Sequence, residues 1–363
     1  MPKILTLLLI IFSFFFRSQA QIRIYSNEFL SVGIGAKALA LSNAVVASSD
    51  DVYSGFWNPA GLNFIKNNYE IAVMHSEYFA GIAKFDYLGT AYKTGDSSVI
   101  AGSLIRFGID NIPNTLELID ENGNIDYNRI SYFSTADWAL LLSYAKKSSI
   151  PGLSYGINTK IIFRNQGEFA KAFGFGFDIG LKYIKKKWLF GANLKDATST
   201  FNAWFYNTDN LKDVFIRTGN EIPTNSLEIT MPELIAGVSR NFTLSEKFSL
   251  RPEIDIDFSF DGKKYVLISS KAVSIDPYFG TELNFKNIIF FRTGIGNFAQ
   301  IPDFDKKTLN FQPSIGLGIN ILNLKLDYAL TDIGNQSVAL YSNVFSLSYG
   351  FNKLNLKKQI HNR

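Results

Sequence analysis

From Tyr69 onward the chain alternates between apolar and polar or small positions. In the run Phe173-Gly174-Phe175-Gly176-Phe177-Asp178-Ile179-Gly180-Leu181-Lys182-Tyr183, every odd position is large and apolar, and every even one is Gly, Asp or Lys. A period of two sets one face of a β-strand against oil and the other against water or a plugged interior. The same period recurs in 153–164, 253–260 and 324–330. About fourteen candidate strands follow between residues 69 and 351. Many reach ten residues, longer than the usual strand of a soluble sheet and close to what a tilted strand needs to cross a bilayer. An even number of such strands predicts an all-β fold, a closed antiparallel transmembrane barrel. A soluble β-sandwich alternates as well and is the structural alternative.

The connections support the barrel. After the even-numbered strands they are short, as at 94–96, 147–152, 185–186, 244–246, 286 and 321. After the third, seventh, ninth and eleventh they are longer, including 111–135 and 197–231, whereas the first, near 78–81, is tight. Short periplasmic turns and long outer loops then place both termini in the periplasm.

Two stretches break the period. Residues 1–20 read as a signal peptide, with Lys3, an apolar run at 4–16 and Ser18-Gln19-Ala20 as the cleavage site, so the mature chain would begin at Gln21. Residues 29–65 are small and apolar, with Ala36, Leu39, Ala40 and Asn43 at helical spacing. Ser48, Ser49, Asp50 and Asp51 offer N-cap oxygens to a second short helix, and Asn58-Pro59 with Gly61 supplies a closing turn. Residues 21–68 are therefore expected to fold into the lumen as a small helical plug, 69–351 to form the barrel, and 352–363 to be a basic tail. With a plugged or water-filled interior, Phe175→Arg or Phe177→Arg is expected to impair insertion and Gly176→Ser to be tolerated.

Composition narrows the chemistry. There are 33 Phe and 17 Tyr at a mean hydropathy of +0.05, which fits one-sided strands. With no cysteine, neither a lipid-anchored N-terminus nor a disulfide framework is available. The formal charge of +4 includes Lys3 and Arg17 of the signal, and the lysines 185–187 fall at a turn, so no nucleic-acid partner is expected. The only histidines are His75 and His361. His75 is read as a wall residue, because adjacent residues on a strand face opposite ways and His75, Ser76 and Glu77 therefore cannot converge into a triad. Gly33-x-Gly35 opens no βαβ unit. Asp255 and Asp257 share a strand face and are read as lumen acids answering Lys160, Arg164 and Lys182, with acid–base work or a cation site as the alternative. Asp50-Asp51 alone offers too few ligands for calcium. No catalytic residue, metal or cofactor is expected. The candidate partner site is Trp204, Phe205 and Tyr206 in the segment 201–215, aromatics on a predicted outer loop; the alternative is that this loop packs over the barrel rim.

Three strings resemble a known family. Tyr25-Ser26-Asn27-Glu28-Phe29-Leu30, Gly35-Ala36-Lys37-Ala38-Leu39 and Trp57-Asn58-Pro59-Ala60-Gly61-Leu62 are similar to the PorV/PorQ proteins of the type IX secretion system, within the FadL-like outer-membrane barrels. The resemblance implies a non-catalytic outer-membrane component, embedded in outer-membrane lipid. Its implied partners are the translocon or attachment proteins and the C-terminal domains of cargo. Asp50, Asp51, Trp57, Asn58, Pro59 and Gly61 would hold the plug. The alternative within the same fold is a FadL-type transporter of hydrophobic small molecules, whose plug moves to admit its ligand.

Overall fold

A computed structural model describes residues 26–79, 81–119, 123–209, 212–303, 306–331 and 342–352. The predicted signal peptide and all but the first residue of the basic tail lie outside them. Fourteen antiparallel staves close into a barrel. They are β1 (Tyr69–Tyr78), β2 (Ala83–Lys93), β3 (Ser98–Asn114), β4 (Ser131–Lys147), β5 (Leu153–Gln166) and β6 (Ala170–Lys185). Next come β7 (Trp188–Lys195 with Thr200–Tyr206), β8 (Ser226–Thr230 with Glu233–Arg240), β9 (Phe248–Ser259) and β10 (Ser274–Phe285). The last four are β11 (Ile289–Asp303), β12 (Lys306–Ile321), β13 (Leu324–Thr331) and β14 (Ser342–Phe351). Tyr69 pairs with Phe351, which joins β1 to β14 and closes the sheet.

Alternation sets the two faces. On β6, Phe173, Phe175, Ile179 and Leu181 are exposed on the outer wall, while Asp178 and Lys182 are buried in the lumen. Aromatic residues ring the end that carries the short turns: Tyr69 stacks on Tyr92 at 4.7 Å and on Phe351 at 5.0 Å, and Trp188 stacks on Phe190. Such girdles sit at the membrane interface.

The structure corrects the predicted outer loops. β7 breaks after Lys195, where Asp196 and Ser199 take positive φ, and then resumes. Its second segment pairs with the outer half of β6, Ala170 opposite Tyr206 and Phe175 opposite Phe201. The period of two runs on through Thr200, Asn202 and Trp204, so residues 200–206 belong to the wall. A helix, α3 (Lys212–Thr218), lies in what is left of that connection. The third connection shrinks to 115–130 because β3 and β4 run on past a bulge, and the eleventh is confined between Asp303 and Lys306. The first is tight, with positive φ at Phe79 and Gly81.

Residues 26–65 thread the lumen. They hold two short helices, α1 (Ala36–Ala40) and α2 (Ser54–Trp57), and a 3-10 turn at Pro59–Phe64. Asn43 lies beyond α1 at positive φ, so the four-residue face predicted there is not helical throughout. Ile34, Leu39, Val52, Phe56 and Leu62 pack against inward Met74, Phe85, Tyr87, Ile105 and Leu141, making one dry core on the β1–β5 side. Gly176 does not face open space: a Cβ there would lie 2.8 Å from Thr200 Cβ, because β7 folds over it after its break. A serine at Gly176 would therefore crowd Thr200 rather than be tolerated.

Candidate functional site: the seated plug and the chamber above it

Residues 41–49 are mostly non-helical, so their amides need acceptors from elsewhere. β9 supplies them. Asp255 Oδ2 accepts from Val45 N at 2.7 Å and Val46 N at 2.8 Å. Glu253 Oε1 accepts from Ala47 N at 2.8 Å and Ser48 N at 3.1 Å. Two residues apart on a strand, both carboxyl groups point into the lumen and clasp four consecutive amides.

Glycines let the plug backbone lie directly on the wall. A Cβ at Gly156 on β5 would fall 2.5 Å from Ala60 N, one at Gly180 on β6 2.7 Å from Pro59 Cδ, and one at Gly191 on β7 2.5 Å from the Val46 carbonyl carbon. On β11, Gly294 meets Leu41 in the same way. Close backbone approach is what glycine in a strand permits. Within the plug, Gly61 lies against Ser49, whose carbonyl oxygen would be 2.6 Å from an added Cβ.

The remaining motif residues hold this seat. Asn58 Nδ2 donates to Val46 O at 2.8 Å and to Leu181 O on β6 at 3.0 Å, while its Oδ1 accepts from Ala60 N at 3.2 Å as an N-cap. Pro59 follows at the first position of the turn, where no N–H is required. Trp57 Nε1 donates to Ile34 O at 2.9 Å, and its carbonyl accepts from Asn193 Nδ2 at 2.9 Å. The predicted caps of α2 are corrected: Tyr53 occupies the N-cap position with no side-chain cap bond. Asp51 Oδ1 accepts from Tyr53 N, and Asp50 instead pairs with Lys37 at 2.9 Å. Burial alone would lower the Lys37 pKa, but Asp50 and then Asp51 outweigh it and hold the ammonium well above its usual value.

The lumen bases do not answer Asp255 and Asp257 as expected. Lys160 bridges Asp178, at 2.8 Å, and Asp196. Arg164 pairs with Asp137 at 2.9 Å and Glu228 at 3.5 Å, and Lys182 donates to Ser49 O. Asp255 is occupied by plug amides, which the sequence could not reveal. Asp257 sits beside Glu233 with its Oδ1 unpartnered. It faces a cavity of about 430 Å³ above the plug, lined by Asn43, Trp57, Lys195, Glu233 and Lys264.

The three candidate partner residues are not one exposed cluster. Trp204 is 7% exposed, points inward and lies under the Arg164 guanidinium at 4.9 Å. Phe205 is 51% exposed on the opposite face. Tyr206 is half-buried and stacks on Trp204 at 6.1 Å. The chain enters the described region inside the lumen: Ser26 Oγ donates to Glu228 at 3.0 Å and Asn27 Nδ2 to Thr230 at 2.8 Å. Asn352, in contrast, lies at the short-turn rim beside Asn67 and Asn68.

A family model described as type IX secretion system protein PorV matches residues 17–193, from ahead of the plug into β7. Over that stretch, just under half of its length, the chain is similar to PorV, and its fold is that of a FadL-like outer-membrane barrel. The fold is shared with the CymD monoaromatic hydrocarbon channel, at a TM-score of 0.53 and 12% identity over 88% of this chain and 98% of that one. The Ralstonia pickettii toluene transporter TbuX gives 0.51 and 12% over 88% and 98%. A Pseudomonas aeruginosa FadL homologue gives 0.51 and 11% over 87% and 98%. No curated protein sequence matches the chain. The PorV match takes in Trp57 to Leu62 and the seat glycines Gly156, Gly180 and Gly191. It stops short of Glu253 and Asp255, so the clasp lies outside the stretch that is similar to PorV.

Proposed function

We propose that this barrel is a non-catalytic component of type IX secretion that binds a cargo or partner protein at the outer membrane. The observation that carries the reading is the clasp of Asp255 and Glu253 on residues 45–48, on a chain whose first half matches PorV. A transporter needs a plug that moves and an oily pocket. Here the plug backbone is tied to the wall, and the chamber above it presents Lys195, Glu233, Asp257 and Lys264. Cargo C-terminal domains and attachment or translocon proteins are the proposed partners, met at the outer rim. There Phe205 and Tyr206 supply contact, and Trp204 stiffens the strand beneath them through Arg164. The mature chain is proposed to start at Gln21 and to end in the periplasm.

Passage of a hydrophobic small molecule is the second reading, supported by the fold shared with the hydrocarbon channel. Affinity purification from intact outer membranes, with lipid extraction of the same sample, separates the two. The expected result is co-purification of secretion proteins, reduced by Phe205→Ala with Tyr206→Ala while the barrel still assembles. A stoichiometric hydrophobic ligand with no protein partner would replace this reading with the transporter.

A further inference from the structure

Two walls of the barrel meet the bilayer differently. On β6 the outward positions from Tyr183 to Phe173 are all apolar over ten residues, about 25 Å of height on a tilted strand and a full apolar band. On β1–β3 the band stops early. Above the girdle pair Tyr69 and Tyr92, β1 offers Ile71 and Val73 before His75 and Glu77, and β2 offers Thr90 and Leu88 before Asp86 and Lys84. β3 turns outward Arg106 and Asp110 above Leu104. His75 is six residues from Tyr69, about 15 Å above the girdle and so inside the membrane's apolar layer.

These outward groups form one network. His75 Nδ1 lies 2.7 Å from Asp86, Arg106 lies 3.3 Å from the other oxygen of Asp86, and Lys84 lies 3.2 Å from Asp110. Arg106 also stacks over outward Trp138 of β4 at 5.6 Å. The side chains are open on their outer side, with His75 54% and Glu77 57% exposed. Charges on a lipid-facing wall at this depth destabilise a barrel and mark a functional surface.

We propose that this wall is a docking surface for a second, different membrane-embedded protein that presents lysine, arginine or amide donors. The proposal rests on the reading above and names where in the membrane plane the partner sits. Charge decides the occupant. Three acids, Glu77, Asp86 and Asp110, face two fixed cations, Lys84 and Arg106, with His75 between Glu77 and Asp86, and both cations are already paired. A lipid phosphate requires spare bases, and a second copy of this chain would bring the same acid-leaning patch against itself. A donor-rich strip on another protein complements it.

The test places the photo-crosslinker p-benzoylphenylalanine at Glu77 or Lys84, and separately at Phe175 or Ile179, in the full-length protein in its own outer membrane. Glu77 and Lys84 are expected to give one protein adduct of defined mass, at least tenfold above the yield from β6. Equal yields on both walls, lipid adducts alone, or an adduct of twice the chain's mass would each overturn the proposal. As a second readout, His75→Leu with Asp86→Leu and Arg106→Leu is expected to insert as well as the parent and to lose the partner at least tenfold; retention of the partner would overturn it. An adduct with a protein outside type IX secretion would keep the surface and sink the functional reading. Secretion partners held by the leucine variant would do the reverse.

Discussion

The inner half of the lumen and the chamber above it share β7, β9 and β11, yet the acids of β9 meet different surroundings in the two. Around residues 45–48 one oxygen of Asp255 and one of Glu253 each accept from two plug amides, while Asp255 Oδ1 and Glu253 Oε2 have no partner, and glycines bring backbone onto backbone. Two residues further along β9, Asp257 also leaves an oxygen without a partner, but there no plug amide reaches it and it stands beside Glu233 at an open cavity. Depth in the barrel is not what separates them. What separates them is the plug: its amides and close-packed backbone fill the inner half, and above it the lumen opens into the cavity.

Removing the clasp should have the largest effect. Hydrogen bonds to a charged group contribute about 1.5–3 kcal/mol each, so Glu253→Ala with Asp255→Ala is expected to cost the plug about 4 kcal/mol or more. Amide hydrogen exchange in residues 41–49 should then speed up about a thousandfold. A change below tenfold would mean the seat does not depend on β9.

Filling a glycine seat comes next. Gly156→Leu drives a side chain into Pro59 and Ala60, an overpacking expected to cost about 1–3 kcal/mol in thermal unfolding of the purified barrel. Gly102→Leu is the matched control, since nothing lies within 4 Å of a Cβ there. Equal stability of the two variants would break the argument for close approach. Asn58→Ala, which removes a cap and two anchoring donors, should cost about 1–2 kcal/mol in the same measurement. The smallest effect belongs to the chamber: Asp257→Asn is expected to change stability by no more than about 0.5 kcal/mol. A larger loss would show that the chamber is matched as tightly as the seat.

These residues also mark what could be read from the sequence. The strict period of two in β6 displays both faces of the wall directly, and the parity of short turns displays its closure. Trp204 reads as a loop residue in the sequence because the break at 196–199 interrupts the alternation just before it resumes at Thr200. The plug announced itself by its loss of period and by Asn58-Pro59. Its seat did not, because Val45 and Asp255 are 210 residues apart and only closure of the barrel brings them together. The outward charges of β1–β3 were visible as residues but not as a surface, because His75, Asp86 and Arg106 meet only through cross-strand register.

Planar-bilayer conductance tests the sealed lumen most directly. The intact barrel should carry no steady ion current, and the same barrel lacking residues 32–62 should assemble and hold a stable open pore. A steady current through the intact protein equal to that of the deletion would contradict a fixed plug.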